Sequence, residues 1–159
     1  MKKILEHIIN NNREWTNKGE VASYIPELAK ANPNALGICV TTLDGDEYFA
    51  GEYDTKFTIQ SISKVITLML AILDNGTEYV FSKIGMEPTE SAFNSITNLE
   101  NNELKKPLNP MINAGAIATI SLINGDSSEE KLNRILKFTR KITGNDTIEV
   151  NQNVYLSEK

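Results

Sequence analysis

The chain has 159 residues, enough for one ordinary domain and too few for two comfortable ones. Hydrophobic residues at 40% and charged residues at 23% give a soluble globular composition, and a net charge of −5 argues against a nucleic-acid or anionic-membrane partner. A single cysteine, Cys39, excludes an intrachain disulfide and a zinc site of the Cys type. A single histidine, His7, excludes His-rich metal sites and leaves any Ser-His-Asp arrangement dependent on that one residue.

Ile4, Leu5, Ile8 and Ile9 share one helical face, so the N-terminus reads as a short amphipathic helix ending near residues 10–12. Glu6 and His7 break its apolar stretch, so it does not read as a signal peptide, and the apolar run Val65 to Leu73 is about half the ~18 residues of a membrane span. With a lone thiol besides, a cytoplasmic location is expected. After a loop carrying Gly19, Pro26 and Pro33, residues 36–42 read as a strand. Leu43-Asp44-Gly45-Asp46 supplies the turn of a tight hairpin, and Tyr48-Phe49-Ala50 the return strand. Lys56 to Ile59 reads as a short approach segment.

From Ser61 the pattern is helical. Ile62, Val65, Ile66 and residues 68–73 are apolar nearly all round, which marks a buried helix, and Asn75-Gly76 ends it. Residues 77–84 form a shorter helix, and residues 86–110 are polar, carry three prolines and read as a long ordered loop. Residues 111–123, small and apolar, predict a helix packed closely against a neighbour. Ser127 and Glu130 form a capping-box pattern before an apolar face of Leu132, Ile135, Leu136 and Ile142, with Gly144 as the stop. Strand-like segments gather in the first 60 residues and are too few for a sheet that covers such an apolar helix. The chain also reaches Lys159 with no terminating element, so the layout reads as the first part of something larger.

With histidine scarce, a nucleophile needs another base. Ser61-Ile62-Ser63-Lys64 offers one, because residues three apart share a helix face. A neutral lysine amine can take the serine proton, and backbone N–H groups at a helix start can hold an oxyanion. The motif is weak alone and occurs twice. Ser128-Glu129-Glu130-Lys131 has the same spacing, but there two glutamates and a polar helix start favour a cap and a solvated lysine. The β segment before the first copy and the apolar helix after it set it apart. In Asn109-Pro110-Met111-Ile112-Asn113-Ala114-Gly115-Ala116, small residues allow close backbone approach, and Asn113 is either a helix cap or a functional donor and acceptor. His7 reads as an exposed side chain and Cys39 as a small core residue.

Four blocks resemble the serine-dependent glutaminases: residues 19–29 (GEVASYIPELA), residues 57–64 (FTIQSISK), Glu87-Pro88 with Phe93-Asn94-Ser95, and residues 109–117 (NPMINAGAI). They stand in family order and cover almost the whole chain from about residue 18. The resemblance implies an α+β fold of the serine β-lactamase/DD-peptidase type, here truncated to an N-terminal helix, a few antiparallel strands and part of the helical domain. It implies one glutaminase domain, with residues 1–60 starting the sheet region and residues 61–159 forming part of the helical region, the C-terminal part being absent. It further implies that Ser61 attacks the side-chain carboxamide of L-glutamine with Lys64 as general base, releasing ammonia and leaving a glutamyl ester for water. Tyr24, Ser61 and Asn113 match substrate-site residues. In Tyr155-Leu156-Ser157-Glu158, Glu158 matches the carboxylate that binds the substrate's α-amino group, a charge-assisted contact.

No metal or organic cofactor is implied, since nucleophile and base are side chains. A homo-oligomer, commonly a dimer or homotetramer in this family, is the expected partner state. The family pattern continues for nearly as much chain again beyond Glu158. An inactive truncated product that associates only with full-length subunits is therefore the second reading. A penicillin-recognising serine acyltransferase or β-lactamase, which also uses Ser-x-x-Lys, is the third, disfavoured by the missing signal peptide.

Overall fold

The computed structural model describes residues 1–90, 92, 94 and 106–158. The chain divides into two compact units, Met1–Thr58 with Val150–Lys159, and Ile59–Glu149. The architecture is α+β.

In the first unit, helix α1 (Lys2–Asn12) runs into a 3-10 turn, Arg13–Lys18. Strands β1 (Gly37–Thr41) and β2 (Glu47–Gly51) pair antiparallel, with Ile38 opposite Ala50 and Val40 opposite Tyr48. The hairpin is the one expected. Gly45 takes φ +87°, a value L side chains resist, and its N–H reaches the Thr42 carbonyl at 3.0 Å. Side chains alternate across a strand, so Leu36, Ile38, Val40 and Tyr48 pack with Ala50 on the buried Leu5 and Ile9 of α1. The same alternation overturns one expectation. Cys39, between Ile38 and Val40, lies on the other face and is exposed. No strand forms over residues 56–59, so the described sheet has two strands.

Arg13 closes this unit by gripping Glu52 with both guanidinium nitrogens, at 2.6 and 3.2 Å, while the Leu36 N–H donates to the same carboxylate at 2.9 Å. The Arg13 hydrogen bond first, and the Leu36 amide second, hold the Glu52 carboxyl at about 2 instead of 4.5. A folded-state value below the ordinary one means that the unfolded chain takes up the proton first. The contribution is therefore complete above pH 4.5 and lost as pH falls towards 2. Urea melts should show Glu52→Gln less stable than the parent at pH 7, with the gap closing as pH falls through that window. A gap that stays constant with pH would contradict this.

In the second unit a 3-10 turn, Gln60–Ile62, leads into α2 (Ser63–Asn75), followed by α3 (Thr77–Lys83), α4 (Asn113–Ser121) and α5 (Ser128–Thr143). Leu70, Ala71, Val80, Ile84 and Ile123 form its core, with Ile135 and Phe138 packed against them. Burying each large aliphatic side chain contributes about 1.5–3 kcal/mol. Ser127 caps α5 as expected, accepting from the Glu130 N–H at 3.1 Å, and Gly144 ends it in the left-handed conformation. Asp74 at the end of α2 takes two hydrogen bonds from Arg134 of α5, at 2.6 and 2.7 Å, which ties the two helices together.

Three expectations change in detail. Helix α2 is buried on one side only. Thr67, Leu70 and Ala71 are buried, whereas Ile62, Val65, Met69 and Leu73 form an exposed stripe at helical spacing, because the described helices of this unit pack on one side of it. The helix expected over residues 111–123 is shorter and starts at Asn113. A further helix, α6 (Gln152–Glu158), stands where no terminating element was expected. It belongs to the first unit, where the Ser157 hydroxyl accepts from the Glu27 N–H at 3.4 Å. Phe93, Ser95 and most of the long polar loop lie outside the described residues.

Candidate active site

Ser61 lies exposed on the 3-10 turn that opens α2. The turn is set by an unusual backbone. Gln60 has φ +43°, and among the described residues no other non-glycine has a positive φ. An L side chain pays about 1–3 kcal/mol for such a conformation, so the surroundings must hold it. They do so twice, through the Ile62 N–H to the Ile59 carbonyl at 2.9 Å and the Ser63 hydroxyl to the Gln60 carbonyl at 2.7 Å. Nothing in the sequence signals this, since glutamine has no preference for the left-handed region.

Lys64 follows one turn later, half-buried. Its ammonium donates to Asn113 Oδ1 at 2.7 Å and to the Met111 carbonyl at 2.8 Å. Two segments 47 and 49 residues distant in sequence thus meet at one amine. The cap role is not the one that Asn113 takes. Ile112 is the cap residue of α4, and the Asn113 side-chain oxygen is turned to Lys64.

The start of α4 is organised by Asn109 instead, which sequence reasoning passed over. Its Oδ1 accepts from the N–H groups of Met111 and Ile112 at 3.0 and 3.1 Å, and its Nδ2 donates to the Glu87 carbonyl at 2.8 Å. Asn-Pro followed by an apolar helical run was the available signal, because asparagine favours turns that bond their own backbone. Gly115 closes the arrangement. A Cβ there would collide with the Asn109 carbonyl and come within 3.0 Å of Pro110 Cα, so only glycine lets the first turn of α4 settle on this loop.

Ser61, Lys64 and Asn113 all belong to the second unit, while Tyr24 and Glu158 belong to the first. Within that unit the segments carrying them are joined by the Glu27–Ser157 hydrogen bond. Tyr24 is 74% exposed, and Glu158 is exposed at the end of α6. In the second Ser-x-x-Lys copy the cap is Ser127, and Lys131, expected to be solvated, is half-buried and donates to the Ser121 carbonyl at 2.7 Å. His7 is exposed as expected, with its Nε2 2.9 Å from Asn11 Nδ2. Among the described residues no group of three His, Cys, Asp or Glu is placed to hold a metal ion, and no helix is long and apolar enough to cross a membrane. Glu52 and Asp74 both lie below the ordinary carboxylate range, each held there first by a hydrogen bond from an arginine.

The glutaminase family model matches residues 19–159. The chain belongs to the glutaminase family. A glutaminase of Clostridium botulinum (strain Loch Maree / Type A3) is 64% identical over all 159 residues, and glutaminase 2 of Clostridium perfringens (strain 13 / Type A) is 66% identical. In each case the match covers 52% of the relative, so the chain spans about half the length of these curated glutaminases. Among solved structures, a probable glutaminase from Bacillus subtilis complexed with 6-diazo-5-oxo-L-norleucine superposes with a TM-score of 0.85 at 34% identity, over 99% of this chain and 46% of that one. Mglu in its tris and glutamate form gives 0.88 at 36% identity, over 99% of this chain and 35% of that one. The α+β arrangement is therefore part of the serine β-lactamase-like fold of the glutaminases.

Proposed function

We propose that this chain carries the nucleophile end of a glutaminase active site, which hydrolyses L-glutamine to L-glutamate and ammonia. The observation that carries the reading is the Lys64 amine, presented one turn after Ser61 and anchored to Asn113 and the Met111 carbonyl. In this reading Ser61 Oγ attacks the side-chain carboxamide carbon while Lys64 takes the hydroxyl proton. That proton passes to the departing nitrogen as the C–N bond breaks, and ammonia leaves behind a glutamyl ester on Ser61. Water then cleaves the ester and regenerates the serine. Positioned general-base catalysis of this kind contributes about 10²–10⁴-fold. Asn113 is proposed to touch substrate as well as Lys64. Tyr24 and Glu158 are proposed as substrate-binding residues on the strength of their sequence motifs, the Glu158 carboxylate suiting the α-ammonium.

The two units are read as portions of one glutaminase domain, with residues 1–60 opening its sheet region and 61–159 contributing to its helical region. A cytoplasmic location and a homo-oligomeric state, such as a homotetramer, complete the proposal. The test joins residue 159 to the remaining portion of the Clostridium botulinum relative and measures ammonia release. Release from L-glutamine is expected to exceed that from L-asparagine. A folded chimera that spares glutamine, or one whose Ser61 is acylated by a labelled penicillin, would overturn the reading.

A further inference from the structure

Lys64 is held by two acceptors of different origin, and their origins matter. Asn113 Oδ1 is a side-chain atom on α4, but the second acceptor is the backbone carbonyl of Met111, which precedes the helix. A backbone carbonyl in a loop points where the loop's own bonds aim it. Here those bonds come from one side chain. Asn109 Oδ1 fixes both the Met111 and the Ile112 N–H groups, and its Nδ2 is tied to the Glu87 carbonyl at 2.8 Å. The Glu87 N–H in turn donates to the Leu108 carbonyl at 3.0 Å, and the Gly85 N–H to the Pro107 carbonyl at 2.8 Å. On the far side Gly115 lies so close to the Asn109 backbone that no side chain fits between them. Asn109 is thus clamped from both directions, and the Met111 peptide is oriented by it.

We propose that Asn109 is a positioning residue for the base. Through the Met111 carbonyl it fixes where the Lys64 amine sits relative to Ser61, without touching substrate itself. The proposal rests on Lys64 being the base of a glutaminase, so its test has one readout that needs no turnover. Trace acetylation of the 159-residue chain, followed by mass spectrometry, compares the amine reactivity of Lys64 with that of Lys131 as internal standard. Without the Asn109 side chain the Met111 carbonyl loses its aim and Lys64 loses one of the acceptors that hold it. Acetylation of Lys64 in Asn109→Ala should then rise about threefold or more, with Lys131 unchanged. Asn109→Ser, whose hydroxyl can still accept from the amide two residues on, should fall between the two.

In the chimera with the Clostridium botulinum relative, Asn109→Ala should lower kcat about tenfold with little change in KM. Misplacing a base costs part of the ~10²–10⁴-fold that base catalysis supplies, whereas general loosening would raise KM as well. A parent-like Lys64 rate in folded Asn109→Ala overturns the proposal. If that variant does not fold, a parent-like rate in Asn109→Ser overturns it. A chimera without glutamine hydrolysis overturns the functional reading alone, since the acetylation result still decides the role of Asn109.

Discussion

Ser61→Ala in the chimera should lower ammonia release from glutamine by about 10⁵-fold or more, and Lys64→Ala by about 10²–10⁴-fold, the share that base catalysis supplies. Nucleophile and base act as one unit, so removing either disables the step that both serve. The double variant should therefore be hardly worse than Ser61→Ala alone. If the two losses multiplied instead, the residues would act independently and the pairing of Ser61 with Lys64 would be wrong. Both single variants should keep the melting temperature of the parent within a few degrees. Ser61 is exposed on a turn, and Lys64 contributes no apolar packing to the Leu70–Ile84–Ile123 core. Steady-state ammonia release with thermal melts of the three variants checks the set.

A large loss of stability is expected from Asp74→Ala. The Asp74 side chain is 8% exposed and accepts from both guanidinium nitrogens of Arg134 and from the Asn124 N–H at 2.8 Å. Truncation leaves the Asn124 amide and part of the guanidinium without an acceptor, and hydrogen bonds to charged groups contribute about 1.5–3 kcal/mol each. Arg134 is 33% exposed and regains some water, so the net cost is about 2–3 kcal/mol, below the sum of the bonds. For a chain of this length that lowers Tm by about 4–12 °C. The Arg13–Glu52 pair has the same bidentate form, but its side chains are 38% and 39% exposed, so breaking it should cost clearly less. Thermal melts of Asp74→Ala and Glu52→Gln at pH 7 compare the two, and equal losses would contradict the ranking by exposure.

What the sequence made legible was local. The hairpin followed from Asp44-Gly45 between alternating strands, and the limits of α5 followed from Ser127, Glu130 and Gly144, because each of those signals acts within a few residues. The face that Cys39 occupies was missed, since alternation gives two faces without saying which one meets α1. The burial of α2 was overstated for a related reason. Composition shows that Ile62, Val65, Met69 and Leu73 are apolar, but partners decide what is covered. At the candidate site, Ser61 and Lys64 stood out by motif and spacing, whereas Asn113 stayed open between a cap and a functional residue until the family resemblance pointed to it. The left-handed Gln60, the Met111 carbonyl and the turn made by Asn109 were not, because they depend on backbone geometry and on contacts between segments nearly fifty residues apart.

The central claim is that Ser61 is the nucleophile towards the glutamine side chain. It is tested most directly by treating the chimera with 6-diazo-5-oxo-L-norleucine and mapping the adduct by peptide mass spectrometry. The diazo carbon takes up a proton, and the Ser61 oxygen then displaces dinitrogen to form a stable ether. The predicted result is one adduct, on the peptide that contains Ser61, abolished by Ser61→Ala and prevented by excess glutamine. An adduct on another residue, or an unmodified Ser61 in a chimera that still releases ammonia, would contradict the account.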